Sequence, residues 1–234
     1  MATYVLVHGA WTGAHGFHKV RPLLWATGHE VFTPSLTGVG ERAHLVSPQI
    51  GLSTHVQDVV NAVVYEDLTD IVLLGFSYGG MVVTGAIATI GDRVRHVVFL
   101  DAFVPGNGDS IDTLVGRPPW PASDVGAEWL IPAAPRQSDD PAAATWIERR
   151  RTPQPSRCFT EPVQLRQPLE DYPFTRTYIK ATADAPTAPG ADALWAAAHR
   201  AKISPAWRYR EIPTSHMVAI TRPQQLTDLL LELT

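Results

Sequence analysis

Only one cysteine, Cys158, occurs in the 234 residues, so no disulfide can form within the chain and nothing calls for an oxidising compartment. No Cys/His spacing has the form of a zinc site. Positive charge is scarce as well. Nineteen Lys and Arg against 23 Asp and Glu leave a net charge of -4, which removes the electrostatic case for nucleic acid or an anionic membrane as partner. The run Arg149-Arg150-Arg151 stands alone and reads as a solvated helix end. Long hydrophobic runs are missing. Thr3-Tyr-Val-Leu-Val7 is too short for a signal-peptide core or a membrane span, and the chain is expected to remain in the cytoplasm. There is no internal repeat, and low complexity is confined to Ala-rich patches such as 193–198.

What is present fits one soluble α/β domain over 1–234, with 45% apolar and 18% charged residues. Short apolar runs at 3–7, 30–33, 69–75, 94–100, 176–181 and 207–212 predict strands. Helical periodicity fills most of the gaps, at 17–27, 53–65, 80–90, 192–201 and 222–232. This alternation predicts a mostly parallel six-stranded sheet with helices on both faces, and right-handed crossovers put every strand's C-terminal end on one ligand-binding edge. Residues 105–173 interrupt the pattern with 12 of the 20 prolines and three of the seven tryptophans. They are expected to form an inserted helical cap, in which Trp120, Trp129 and Trp146 would either line an apolar pocket or pack the insert onto the sheet.

The stretch Ile71-Val-Leu-Leu-Gly75-Phe-Ser77-Tyr-Gly79-Gly80 joins a buried strand to a helix through a Gly-x-Ser-x-Gly corner. Glycines on either side remove side-chain clashes, so the corner can turn sharply and lift Ser77 above the sheet edge. A serine needs a general base, a group to orient that base, and donors for the developing oxyanion. His216, in Pro213-Thr-Ser-His216-Met217 between the last predicted strand and the last helix, has the address of the base. Two aspartates compete for the third place. Asp101 ends the apolar run Val97-Val-Phe-Leu-Asp101, where an unpartnered carboxylate would be costly to bury. Asp184 lies in the loop after the following strand. The N–H groups of Ala10, after the first strand, and of Tyr78, at the helix start, are the natural oxyanion donors. His8 is expected to order its loop. Glu41 and Arg42 read as a structural ion pair or as groups that orient a polar substrate.

Taken together, His8-Gly9-Ala10-Trp11, Gly28-His29-Glu-Val-Phe-Thr-Pro34, the Ser77 corner and Ser215-His216-Met217 resemble α/β-hydrolases of the plant methyl-ester esterase and hydroxynitrile lyase group. Thr37-Gly-Val-Gly-Glu-Arg-Ala-His-Leu45, Leu100-Asp-Ala-Phe-Val-Pro105 and Thr152-Pro-Gln-Pro155 are similar to a bacterial esterase-like branch of it. The resemblance implies the compact six-strand α/β-hydrolase fold, no cofactor, and a serine hydrolase that cleaves a small, largely apolar carboxylic ester through an acyl-enzyme. Lyase members carry threonine where Gly9 stands and lysine where Met217 follows the histidine, so both positions match the esterases. Plant members carry the acid in the loop of Asp184, whereas the bacterial branch suggests Asp101, and the choice stays open. Trp11 and Met217 join the expected pocket. The alternatives are a hydroxynitrile lyase, a C–C or lactone hydrolase, and a small-molecule receptor with residual turnover. A twofold homodimer is the commonest closed assembly.

Overall fold

A computed structural model describes residues 1–117, 128–133, 138–184 and 191–233. Among the described residues the strands are β1 (Thr3–Val7), β2 (Glu30–Phe32), β3 (Ile71–Phe76), β4 (Val94–Leu100), β5 (Leu130–Ile131), β6 (Gln154–Pro155), β7 (Thr175–Ala181) and β8 (Arg208–Ile212). Six of them form one sheet in the order β2-β1-β3-β4-β7-β8, with every pairing parallel. β5 and β6 make a separate antiparallel pair.

The helices are α1 (Val20–Ala26), α2 (Leu52–Tyr65), α3 (Gly79–Ile90), α4 (Ile111–Leu114), α5 (Pro141–Glu148), α6 (Arg157–Thr160), α7 (Ala191–Ile203), α8 (Val218–Thr221) and α9 (Pro223–Leu231). Side chains of β1 alternate between two cores. Val5 and Val7 pack with residues of α2, α3 and α7, while Tyr4 and Leu6 pack with Val20, Leu24, Leu226 and Leu230 of α1 and α9. Both faces of the sheet are therefore covered, as the unbroken apolar runs predict. Truncating a wholly buried leucine such as Leu73 to alanine would cost about 2–5 kcal/mol. The predicted C-terminal helix at 222–232 is α9, opened by Pro223, and the short α8 that precedes it was not predicted.

Parallel strands bring the chain segments after β1, β3, β4, β7 and β8 to one edge. Between β4 and β7 the chain carries α4, β5, α5, β6 and α6. The end of α5 reaches over that edge.

Candidate active site

β3 runs into Ser77, whose φ of 55° puts it in the left-handed region. For a non-glycine residue that conformation costs about 1–3 kcal/mol and persists only when the surroundings impose it. They do so here. The Ser77 N–H donates to Leu100 O (3.2 Å), and Ser77 O accepts from Gly80 N (3.0 Å) and Phe103 N (3.2 Å). The glycines make room. A Cβ on Gly75 would lie 2.6 Å from Gly79 O, and one on Gly79 would lie 2.6 Å from Val7 O.

His216 lies in the loop between β8 and α8 and is buried, its ring tilted on Phe76 with centroids 4.7 Å apart. Both competing carboxylates touch it. Asp101 Oδ2 lies 2.6 Å from His216 Nδ1, whereas Asp184 Oδ2 accepts the backbone N–H of His216 at 3.0 Å. Asp101 thus meets the ring and Asp184 fixes the loop. With Nδ1–H donating to Asp101, Nε2 carries the lone pair that a general base needs. Asp101 is itself left-handed, with a φ of 41°, and its N–H donates to Ile179 O at 2.7 Å. Burial alone would raise its pKa. The hydrogen bond and charge of His216, with the Lys180 ammonium, outweigh that and hold the carboxyl below its usual range. Lys180 Nζ is 2.6 Å from Asp101 Oδ1, and both side chains are 1% exposed.

Ser77 and His216 face one cavity of about 360 Å³, part of it open to solvent. Ala10, Trp11 and Thr12 from the loop after β1 line it, with Phe76 and Met217, while Ile147, Glu148 and Arg151 bound it from the end of α5. Among the described residues, no acceptor meets the N–H of Ala10 or of Tyr78. The Tyr78 side chain is pinned beneath, its hydroxyl 3.0 Å from His55 Nδ1 while His55 Nε2 lies 2.8 Å from Thr37 O. Burial lowers the pKa of His55 to about 4, so it stays neutral.

The expected pocket tryptophans separate. Trp11 lines the cavity with a φ of 60°, held by Gln154 Oε1 on its N–H, Thr152 N on its carbonyl and Ile131 O on its indole. Trp146 instead stacks on His18 (4.3 Å) under Arg150 (4.2 Å) and is not among the cavity residues. Trp129 is not among the cavity residues and gives its carbonyl to Ser156 N at 2.7 Å. Trp120 lies outside the described residues. His8 orders its loop, its Nδ1 2.9 Å from Gly9 O and its Nε2 accepting from Leu36 N, and burial lowers its pKa to about 4. Glu41 bonds Ser35, His15 and the Ala14 N–H, while Arg42 pairs with Asp58, so both serve the loop.

Three residues escaped the sequence reading. The solvated Arg149–Arg151 run is corrected at Arg151, whose side chain is 7% exposed, pairs with Glu148 at 2.9 Å and lies over the Trp11 ring at 5.6 Å. Glu148 lines the cavity with it, and the i,i+3 spacing of the two was the available signal. Lys180 is the third, and a lysine in a strand carries no signal of its partner. Among the described residues, no cluster of His, Cys, Asp and Glu is arranged to hold a metal ion. None of the described helices is long and apolar enough to cross a membrane.

The sequence pattern of the alpha/beta hydrolase family matches residues 4–229. A carbendazim-hydrolysing esterase of Nocardioides sp. (strain SG-4G) is 34% identical over 248 aligned positions, covering 98% of each chain. Methylesterase 8 of Arabidopsis thaliana is 32% identical over 117 positions, which span 46% of this chain and 40% of that one. A crystal structure of an Arabidopsis methylesterase superposes with a TM-score of 0.76 over 99% of this chain and 98% of that one, at 23% identity.

Proposed function

The chain belongs to the alpha/beta hydrolase family, and from that premise we propose that it hydrolyses small, largely apolar carboxylic esters through an acyl-Ser77 intermediate. The observation that carries the proposal is the 2.6 Å contact of Asp101 with His216 Nδ1, on a histidine that shares its cavity with Ser77. Full-length similarity to a named esterase supports the reaction class.

In this reading His216 Nε2 takes the Ser77 proton as Oγ attacks the ester carbonyl. Asp101 keeps the ring in the productive tautomer and stabilises the imidazolium. The Ala10 and Tyr78 N–H groups hold the tetrahedral oxyanion, and His216 then protonates the departing alcohol. Water, deprotonated by the same ring, attacks the acyl-enzyme and releases the acid. Residues 105–173 act as a cap within one domain, with Ile147, Glu148 and Arg151 bounding the substrate space.

Ser77→Ala should lower kcat on p-nitrophenyl acetate by on the order of 10⁴-fold or more while the fold survives. Carbendazim is the first larger substrate to try, given the similar esterase's name. A folded Ser77→Ala protein with the wild-type rate would end the proposal, as would cyanide release from mandelonitrile in place of ester turnover.

A further inference from the structure

We propose that Lys180 is a positioning residue of this site: its buried ammonium holds the Asp101 carboxylate against His216 and sets the pH at which that histidine becomes a base. The inference rests on the acyl-Ser77 reading above and assigns a fourth member to its proton-handling group.

The placement follows from register. Leu100 of β4 pairs with Ile179 of β7, so Asp101, one residue past the end of β4, comes beside Lys180, the next residue of β7. Among the described residues, Lys180 Nζ meets Asp101 Oδ1 at 2.6 Å, Ala181 O at 2.7 Å and the face of the Trp195 ring at 4.3 Å. An ammonium can donate three hydrogen bonds, and here two oxygens and one aromatic face receive them. Burying such a charge is costly unless the geometry compensates, so the site is built around it. Lys180 lies on one carboxylate oxygen and His216 on the other. With Asp101 left-handed, its side chain leaves the strand end in an uncommon direction, and the lysine anchors the oxygen remote from the histidine.

The electrostatic consequence has a definite sign. A cation beside Asp101 offsets part of the negative charge that would otherwise stabilise protonated His216. The histidine therefore releases its proton at a lower pH than it would beside a lone carboxylate. Other ionisable groups surround the pair. Asp184 sits on the His216 backbone N–H, Glu148 and Arg151 across the cavity, and Asp139 with Arg222 beside the histidine loop. Tyr178 and Tyr209 lie on the β7 and β8 side of Asp101, with the Tyr178 hydroxyl committed to Ala102 O and Leu194 O. Lys180 is the cation bonded to the carboxylate.

The test compares wild type with Lys180→Met, Lys180→Arg and the double variant Lys180→Met/Asp101→Asn, which leaves no buried carboxylate without its cation. Two readouts are used: the pH profile of kcat and kcat/KM on p-nitrophenyl acetate, and the pH titration of the His216 ring by NMR. Lys180→Met should lose on the order of 10- to 100-fold in kcat with KM changed by less than about twofold. Its acid limb and its ring titration should both move up by about one pH unit. Lys180→Arg should restore both midpoints towards wild type. Wild-type midpoints in a folded Lys180→Met protein would overturn the proposal. If that variant does not fold, the double variant decides. It is read against Asp101→Asn alone: a ring titration matching that single variant would refute the role, and one displaced upward from it would support it. Because the ring titrates whether or not an ester turns over, failure of the hydrolase reading would show separately, as Ser77-independent activity with the Lys180 effect on His216 intact.

Discussion

Gly9 stands where one methyl group would meet the proposed nucleophile. A Cβ there would lie 2.9 Å from Ser77 Cβ and 3.2 Å from the Phe76 ring. Contacts that close force a shift, and Ser77 is already fixed through its own N–H and carbonyl. Gly9→Ala should therefore displace either the serine or the Ala10 N–H by a fraction of an ångström. A misplacement approaching 1 Å costs about 10²-fold in rate. We expect kcat on p-nitrophenyl acetate to fall by on the order of tenfold or more, with the thermal midpoint nearly unchanged. A folded Gly9→Ala protein with unaltered kcat would show that the loop yields instead. The position also shows why Ser77 was legible without coordinates, since its spacing of small residues is demanded by contacts with Gly79 O and Val7 O. The spacing of Glu148 and Arg151 hinted at their pairing, but the burial of Arg151 and Lys180 was not legible. Whether a cation is solvated or enclosed depends on the chain folded over it, and neither local sequence carries that information.

At the scale of elements, the loop carrying His216 is tied to the start of α5. Asp140 caps that helix through the Ala142 and Ala143 N–H groups, while its neighbour Asp139 turns to the loop. Asp139 accepts from Ser215 Oγ at 2.7 Å and from Thr214 Oγ1 at 3.0 Å, and pairs with Arg222 at 2.8 Å. Burial would raise its pKa, but the hydrogen bonds from Ser215 and Thr214 together prevail and lower it. Asp139→Ala removes this tie from a half-exposed position, so stability should change little. Freed of it, His216 would wander from its place opposite Ser77, and kcat should drop by about tenfold. Steady-state kinetics beside a melting curve checks both halves, and an unchanged kcat would make the contact merely superficial. The central strands β1, β3 and β4 could be read in advance because each is a largely apolar run bounded by polar or turn residues. β5 and β6 could not, since two residues carry no periodicity. The choice between Asp101 and Asp184 had a related difficulty, for both reach His216 and only their target atoms differ.

For the whole molecule, the buried histidines determine how the fold meets acid. Unfolded histidine takes up a proton below about pH 6.5. Burial lowers His8 and His55 to about 4, so in the folded chain they decline that proton until far lower pH. Between these values unfolding takes up protons, and stability falls as the pH falls. Each histidine accounts for a loss on the order of 3 kcal/mol by about pH 4. The thermal midpoint, followed from about pH 8 down to about pH 4, should decline steadily below about 6.5. His55→Gln, which keeps polar atoms towards Tyr78 and Thr37, should flatten the decline. A midpoint level across that window would mean that the two rings accept protons in place.

Trp11, Ser77 and Asp101, which follow β1, β3 and β4, are all left-handed at φ values of 60°, 55° and 41°. Each would be more comfortable as glycine, so the edge that carries the chemistry also carries backbone strain. Heat resistance and turnover therefore pull these three positions in opposite directions. A lineage selected for persistence alone would relax them first. It would keep the sheet, the two cores and the covering helices while the enzyme was lost.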